Sequence, residues 1–232
     1  AKEYGIVEAE LTKALNQSPP FWQQVPGRRL AYVKCVTAVL LDHASQGHLL
    51  YHGHVGHLLL ASVPHVLKVR VIADLEYRIK AAMNQLRLKR DEAIAHIQRV
   101  DEDRSRWARF LYGVDWEDPA QYTIVLNLRQ LGEDSACETI ARMSELPEFK
   151  PTAEGQKRFD DLRLGSRVWA AMAKNPEVRS AGIEVTADDG HVVVRGTVGS
   201  AKALEMIPRI AGAVEGVKSV RVEAGLGADW YW

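Results

Sequence analysis

The sequence is poor in cysteine: two of 232 residues, Cys35 and Cys137. Two isolated thiols outside any Cys-x-x-Cys cannot build a disulfide framework. A reducing cytoplasm fits best, with both thiols as small buried apolar groups. Net charge is missing as well. Thirty Lys plus Arg balance thirty Asp plus Glu, which argues against recruitment to nucleic acid by bulk electrostatics. The balance is local too, since residues 153–232 carry eleven basic and eleven acidic residues. No apolar run approaches the roughly 18 residues of a membrane span, and the N-terminus has no basic-then-apolar secretion pattern. It also has no methionine. Ala1 is compatible with loss of an initiator Met and equally with a chain that begins part-way through a gene product.

What is present has globular proportions, 47% hydrophobic and 26% charged, so wholesale disorder is excluded. The length suits one or two domains. Residues 6–17 read as a short helix stopped by Ser18-Pro19-Pro20, and Arg28 to Ser45 as a longer one ended by Gln46-Gly47. His48–Tyr51 is a short apolar run, and Val55–Ser62 a helix-like stretch stopped at Pro64. Val66–Ala73 and Tyr122–Leu128 are β-branched, mostly apolar strands, separated by helices over Leu75–Leu88 and Lys89–Leu111 and followed by one over Ser135–Leu146. Strands alternating with helices imply β-α units on a parallel sheet.

After a polar, proline-broken stretch the rhythm changes. Leu162–Lys174 is helical, Gly182–Ala187 and His191–Val198 alternate at period two around Asp188-Asp189-Gly190, Ala201–Val214 is helical, and Gly216–Glu223 is a last strand. The expected division is therefore 1–150, a linker over 151–165, and a small α-β-β-α-β module over 166–232.

The C-terminal module resembles a BON domain. Ile183-Glu184-Val185, Gly190-His191-Val192-Val193-Val194-Arg195-Gly196-Thr197-Val198, Ala201, Ile210, Ala213 and Val214-Glu215-Gly216-Val217-Lys218-Ser219-Val220-Arg221-Val222 carry the likeness. It implies a ligand- or membrane-associated binding module without catalysis. Residues 1–146 resemble the cytidylate kinase-like family of nucleoside monophosphate kinases. Leu49–Gly56 sits where that family has a strand running into a Gly-Arg-Gly turn, with His54 at the arginine. Val69–Lys80 is similar to its fourth strand and the helix bearing an arginine, here Arg78. Val100–Tyr122, with Arg104-Ser105-Arg106-Trp107-Ala108-Arg109 and Gly113-Val114-Asp115-Trp116, is similar to its lid and the segment after it. The fold class is thus α/β: an incomplete P-loop-kinase-like parallel-sheet domain followed by a small BON-like domain.

The resemblance implies phosphoryl transfer from ATP to a nucleoside monophosphate such as CMP, with Mg, catalysed by charge stabilisation on the moving phosphoryl group. It points to Arg78, Arg99, Arg104, Arg106, Arg109 and His54 as nucleotide- or phosphate-binding residues. Guanidinium groups are planar, permanently charged donors for phosphate oxygens. By 100° spacing Arg99, Arg106 and Arg109 share one side of a helix, and Arg104 points elsewhere. The same charges, with Asp101, Glu102 and Asp103, also read as a solvated salt-bridged face.

No Gly-x-x-x-x-Gly-Lys-Ser/Thr occurs, nor the family's glycine-rich loop, whose backbone N–H groups would cradle donor phosphates. Glu3-Tyr4-Gly5 only faintly echoes the family's start, Ala81 replaces a basic residue, and Thr123 replaces an Asp. No catalytic or metal-ligating residue is assigned. Two readings follow. One is a degenerate kinase fold acting by nucleotide or ligand binding, or by assembly in a homo-oligomer or with a protein partner, which could supply a substitute strand. The other is an active kinase whose phosphate loop lies upstream of Ala1. Two further features stay open. His43, His48, His52, His54, His57 and His65 are dense enough to suggest zinc, but match no standard ligand spacing. Trp230-Tyr231-Trp232 reads as a docking anchor or as packing on the adjacent module.

Overall fold

The computed structural model describes residues 27–53, 56–178 and 182–227, with the backbone alone at 27–32, 110 and 111. The helix expected over 6–17, Glu3-Tyr4-Gly5, His54 and Trp230-Tyr231-Trp232 lie outside the described residues. The chain divides into two compact units: His52–Gly155, and the residues up to Tyr51 together with those from Gln156 onward.

In the unit His52–Gly155, strands β1 (Val69–Ile72) and β2 (Ile124–Asn127) pair in parallel, with Val69 opposite Ile124 and Ile72 opposite Asn127. Parallel pairing needs a long crossover, supplied here by α3 (Leu75–Leu86) and α4 (Arg90–Tyr112); a single turn of helix, α2 (Gly56–Leu59), precedes β1. Local chemistry sets the ends. The Asp74 carboxylate accepts the Tyr77 N–H at 2.8 Å and caps α3. The Lys89 N–H donates to the Glu92 carboxylate at 2.8 Å where α4 begins. Gly113 closes α4 at φ 66°, donating its N–H to the Arg109 carbonyl, a left-handed cap that glycine adopts without strain. Ile79, Ala93 and Ile97 are buried where α3 meets α4, with Ala82, Met83, Leu88 and Ile94 around them. Helix α5 (Glu133–Ser144) follows β2.

Leu49 and Leu50, in the run similar to a family strand, form no strand. They are 44% and 81% exposed, and among the described residues no strand lies beside them to take up their backbone groups.

The second unit is built on a sheet of β3 (Gly182–Asp188), β4 (His191–Val198) and β5 (Ser219–Leu226), in that order. β3 and β4 form the expected hairpin. Asp188 pairs with His191, and Asp189 and Gly190 between them have φ of 46° and 85°, the positive values a tight two-residue turn requires. β4 and β5 are parallel, joined through α7 (Ala201–Gly212), whose first turn is capped by Ser200 Oγ accepting the Ala203 N–H. Val192, Val194 and Val198 alternate inward and meet Ala203, Ile207 and Ala211 of α7 and Val168, Trp169 and Met172 of α6 (Ala153–Ala173). The Trp169 indole N–H donates to the Ile183 carbonyl at 3.1 Å.

Helix α6 runs through most of 151–165, the stretch expected as a linker. Its first half is rich in straight-chain and charged residues that bond at i,i+4, Gln156 to Asp160 and Lys157 to Asp161, and Phe159 is buried. Helix α1 (Gly27–Ala44) also belongs to this unit, placing Cys35 and Ala38 in the same core. Cys35 is buried as expected, but Cys137 on α5 is exposed; α5 buries Ala136 instead, and its neighbour necessarily points away. Among the described residues no helix is long and apolar enough to cross a membrane.

Candidate phosphate-binding site

The second position of β1 is an arginine inside an apolar run, Val69-Arg70-Val71-Ile72. A guanidinium there must find partners, because an unpaired charge beside a core is costly. The Arg70 side chain is 15% exposed. It donates from Nη1 to the Glu117 carbonyl oxygen at 2.5 Å and from Nη2 to Glu117 Oε1 at 2.8 Å. Its Cζ lies 4.9 Å from the centre of the Trp116 ring and 5.8 Å from that of Tyr122.

Arg104 of α4 approaches the same Trp116 ring at 5.6 Å. The Tyr122 hydroxyl donates to the Trp116 carbonyl at 2.7 Å, and its ring meets His57 of α2 with centroids 4.5 Å apart. Local caps stiffen the connection. Asp115 Oδ1 accepts the Glu117 N–H at 3.0 Å, and Asp118 Oδ1 accepts the Ala120 N–H at 2.9 Å. The segment leaving α4 is thereby fastened to β1 by Arg70, with Trp116 stacked against two guanidinium groups.

The charges acting on His57 are cationic. His57 is held down to about 4, first by burial and then by the Lys68 and Arg70 cations, so its ring is neutral at physiological pH. Its Nε2 is buried and has no hydrogen-bond partner among the described residues. Burial pushes Tyr112 up to about 12 and also raises Tyr122, against the pull of Arg70 and Arg104.

The remaining sequence-derived candidates are distributed differently. Arg78 of α3 reaches across to Asp101 of α4 at 2.7 Å. Arg106 pairs within α4 with Glu102 at 3.1 Å and Asp103 at 3.8 Å. Arg109 lies 4.0 Å from Asp115, and Arg99 Nη2 sits 3.2 Å from His96 Nδ1. The structure thus brings Arg104 together with Arg70, ties Arg78 to α4, and leaves Arg99 and Arg106 with neighbours on their own helix. The Arg106 and Arg109 pairs are exposed and contribute little to stability, whereas the Arg78–Asp101 pair is partly buried. Arg70, Trp116 and Glu117 were not among the phosphate-binding candidates drawn from the sequence, although a lone arginine at a half-buried strand position was the available signal. Among the described residues no group of three or more His, Cys, Asp or Glu converges on a metal-sized site.

A model of the cytidylate kinase-like family matches residues 1–130. The chain belongs to that family. A BON domain model matches residues 160–224, covering most of α6 and the sheet with α7. A cytidylate kinase from Ignicoccus hospitalis (strain KIN4/I) is 28% identical over 110 residues, 47% of this chain and 62% of that protein. The chain therefore spans less than two-thirds of this relative's length. In the cytidylate kinase-like region, the match takes in β1, α3, α4 and β2, the elements that carry Arg70, Arg78, Arg104 and Trp116.

Proposed function

We propose that these 232 residues bind a nucleoside monophosphate, of the CMP class, through the cations of α3, α4 and β1, and do not by themselves run efficient phosphoryl transfer. One observation carries the reading: the cytidylate kinase-like match spans the arginine-bearing α3 and α4, while these 232 residues contain no glycine-rich loop for the donor phosphates. Phosphoryl transfer depends on positioning and charge stabilisation of the donor group, and without backbone N–H groups cradling it the largest electrostatic contribution is missing. Arg78, Arg99, Arg104, Arg106 and Arg109, joined by Arg70 of β1, are the acceptor-phosphate candidates; His54 stands with them as a sequence candidate. ATP with Mg is the donor this reading expects to be handled poorly. The BON domain supplies a binding role, and assembly with a further copy or a protein partner belongs to the same reading.

The alternative, an active nucleoside monophosphate kinase, is favoured by the match over the arginine-bearing α4. A coupled assay with CMP, ATP and Mg separates the two. No turnover above background is expected, together with measurable CMP binding; robust turnover by this chain would refute the binding-only reading.

A further inference from the structure

Helix α1 lies within the residues matched by the cytidylate kinase-like family, yet its side chains enter the core of the module matched as a BON domain. Three features make this contact specific. Cys35 and Ala38, one turn apart, are buried among Val168, Trp169 and Met172 of α6. Both side chains are small and fit that packed core. At one end the Asp42 carboxylate accepts from Arg163 Nε at 2.6 Å, with each side chain only 32% exposed. Toward the other end Lys34 is largely buried and faces the charge of Glu184 on β3; burial lowers its pKa and Glu184 opposes the shift. An acid at one end and a base at the other fix the direction of the helix as well as its position.

From these observations we infer that the α6–β3 face of the C-terminal module is a helix-docking surface whose partner is α1, so that this module engages the kinase-like region by recognising one of its helices. The occupant is defined by its chemistry: a helix with two small residues on its contact stripe, a cation toward its N-terminal side and a carboxylate eight residues later, as at Lys34, Cys35, Ala38 and Asp42. Residues 45–53, leaving α1, carry Leu49, Leu50 and Tyr51 exposed.

Cys35 reports this docking directly, because its thiol reacts only when uncovered. The test uses the full chain carrying Cys137→Ser, which leaves Cys35 as the single thiol, and follows its reaction with an aromatic disulfide reagent. Arg163→Asp and Asp42→Arg should each accelerate labelling about tenfold, since each places like charges at a half-buried contact. The double reversal, Asp42→Arg with Arg163→Asp, should return the rate to within about twofold of the parent. Far-UV circular dichroism on the same samples confirms that each variant is folded. Where a reversal prevents folding, Arg163→Gln replaces it, with about threefold acceleration expected. Parent Cys35 reacting as fast as an exposed thiol would overturn the inference, as would single reversals without effect or a double reversal that labels as fast as the singles.

Discussion

Replacing Arg70 by methionine tests the bracket on which the candidate site is built. Met fills much of the same volume and suits the apolar run of β1, so the change removes charge and hydrogen bonding with little loss of packing. Two donated bonds disappear, at 2.5 and 2.8 Å to Glu117. A bond to a charged group is worth about 1.5–3 kcal/mol. Glu117 is 65% exposed and regains water, so the pair together contributes at the lower end, about 1.5 kcal/mol. Stacking on Trp116 adds about 0.5–1 kcal/mol. Relief of any desolvation cost of Arg70 opposes these contributions. A net loss of about 1.5–2 kcal/mol is therefore expected in urea unfolding of the unit that contains β1, followed by tryptophan fluorescence. Arg70 also lowers the His57 pKa as one of three causes, so the imidazole resonances of Arg70→Met should titrate at higher pH while staying below the ordinary value, because burial, the largest cause, remains. Stability unchanged within about 0.3 kcal/mol, together with an unmoved His57 titration, would refute the reasoning.

Other outcomes are equally specific. His57 binds protons less readily in the folded state, at about 4 against an ordinary 6.5. Its contribution is complete above the unfolded value and is lost as pH falls toward the folded one. Stability should fall between pH 6.5 and 4, by about 1 kcal/mol at pH 5 for this partly buried ring, seen as lower thermal midpoints, and His57→Phe should flatten that slope. Gly196→Ala should unfold the C-terminal sheet, because φ there is 119° and a Cβ would lie 2.1 Å from the Gly182 carbonyl oxygen; circular dichroism of a folded variant with parental stability would contradict this. Ile207→Ala removes a fully buried side chain between α7 and the sheet, and should cost about 3 kcal/mol in denaturant unfolding.

Most of the C-terminal module was legible residue by residue, because its signals are local. Asp189-Gly190 forces a tight turn, and the valines of β4 alternate. The kinase-like half was legible where periodicity is strong, as in α3 and α4, and less so where tertiary context decides. Leu49-Leu50-Tyr51 has strand composition, yet a strand exists only when a neighbour takes its hydrogen bonds. The arginine pattern of α4 gave the face shared by Arg99, Arg106 and Arg109, but spacing along one helix cannot reveal that Arg104 meets Trp116 or that Arg78 reaches Asp101, since those partners lie 12 and 23 residues away in the chain. Cys35 and Cys137 have equal composition signals and opposite environments for the same reason. The docking of α1 beside α6, 121 residues apart at Asp42 and Arg163, has no local signature at all.

Calorimetric titration of the intact chain with CMP, with and without ATP and Mg, tests the central claim most directly. Heat of CMP binding is expected in the parent protein, weakened about tenfold or more when Arg104 and Arg106 are both changed to glutamine, with no nucleoside diphosphate formed when ATP and Mg are added. No heat with CMP, or binding that the double substitution leaves unchanged, would contradict it.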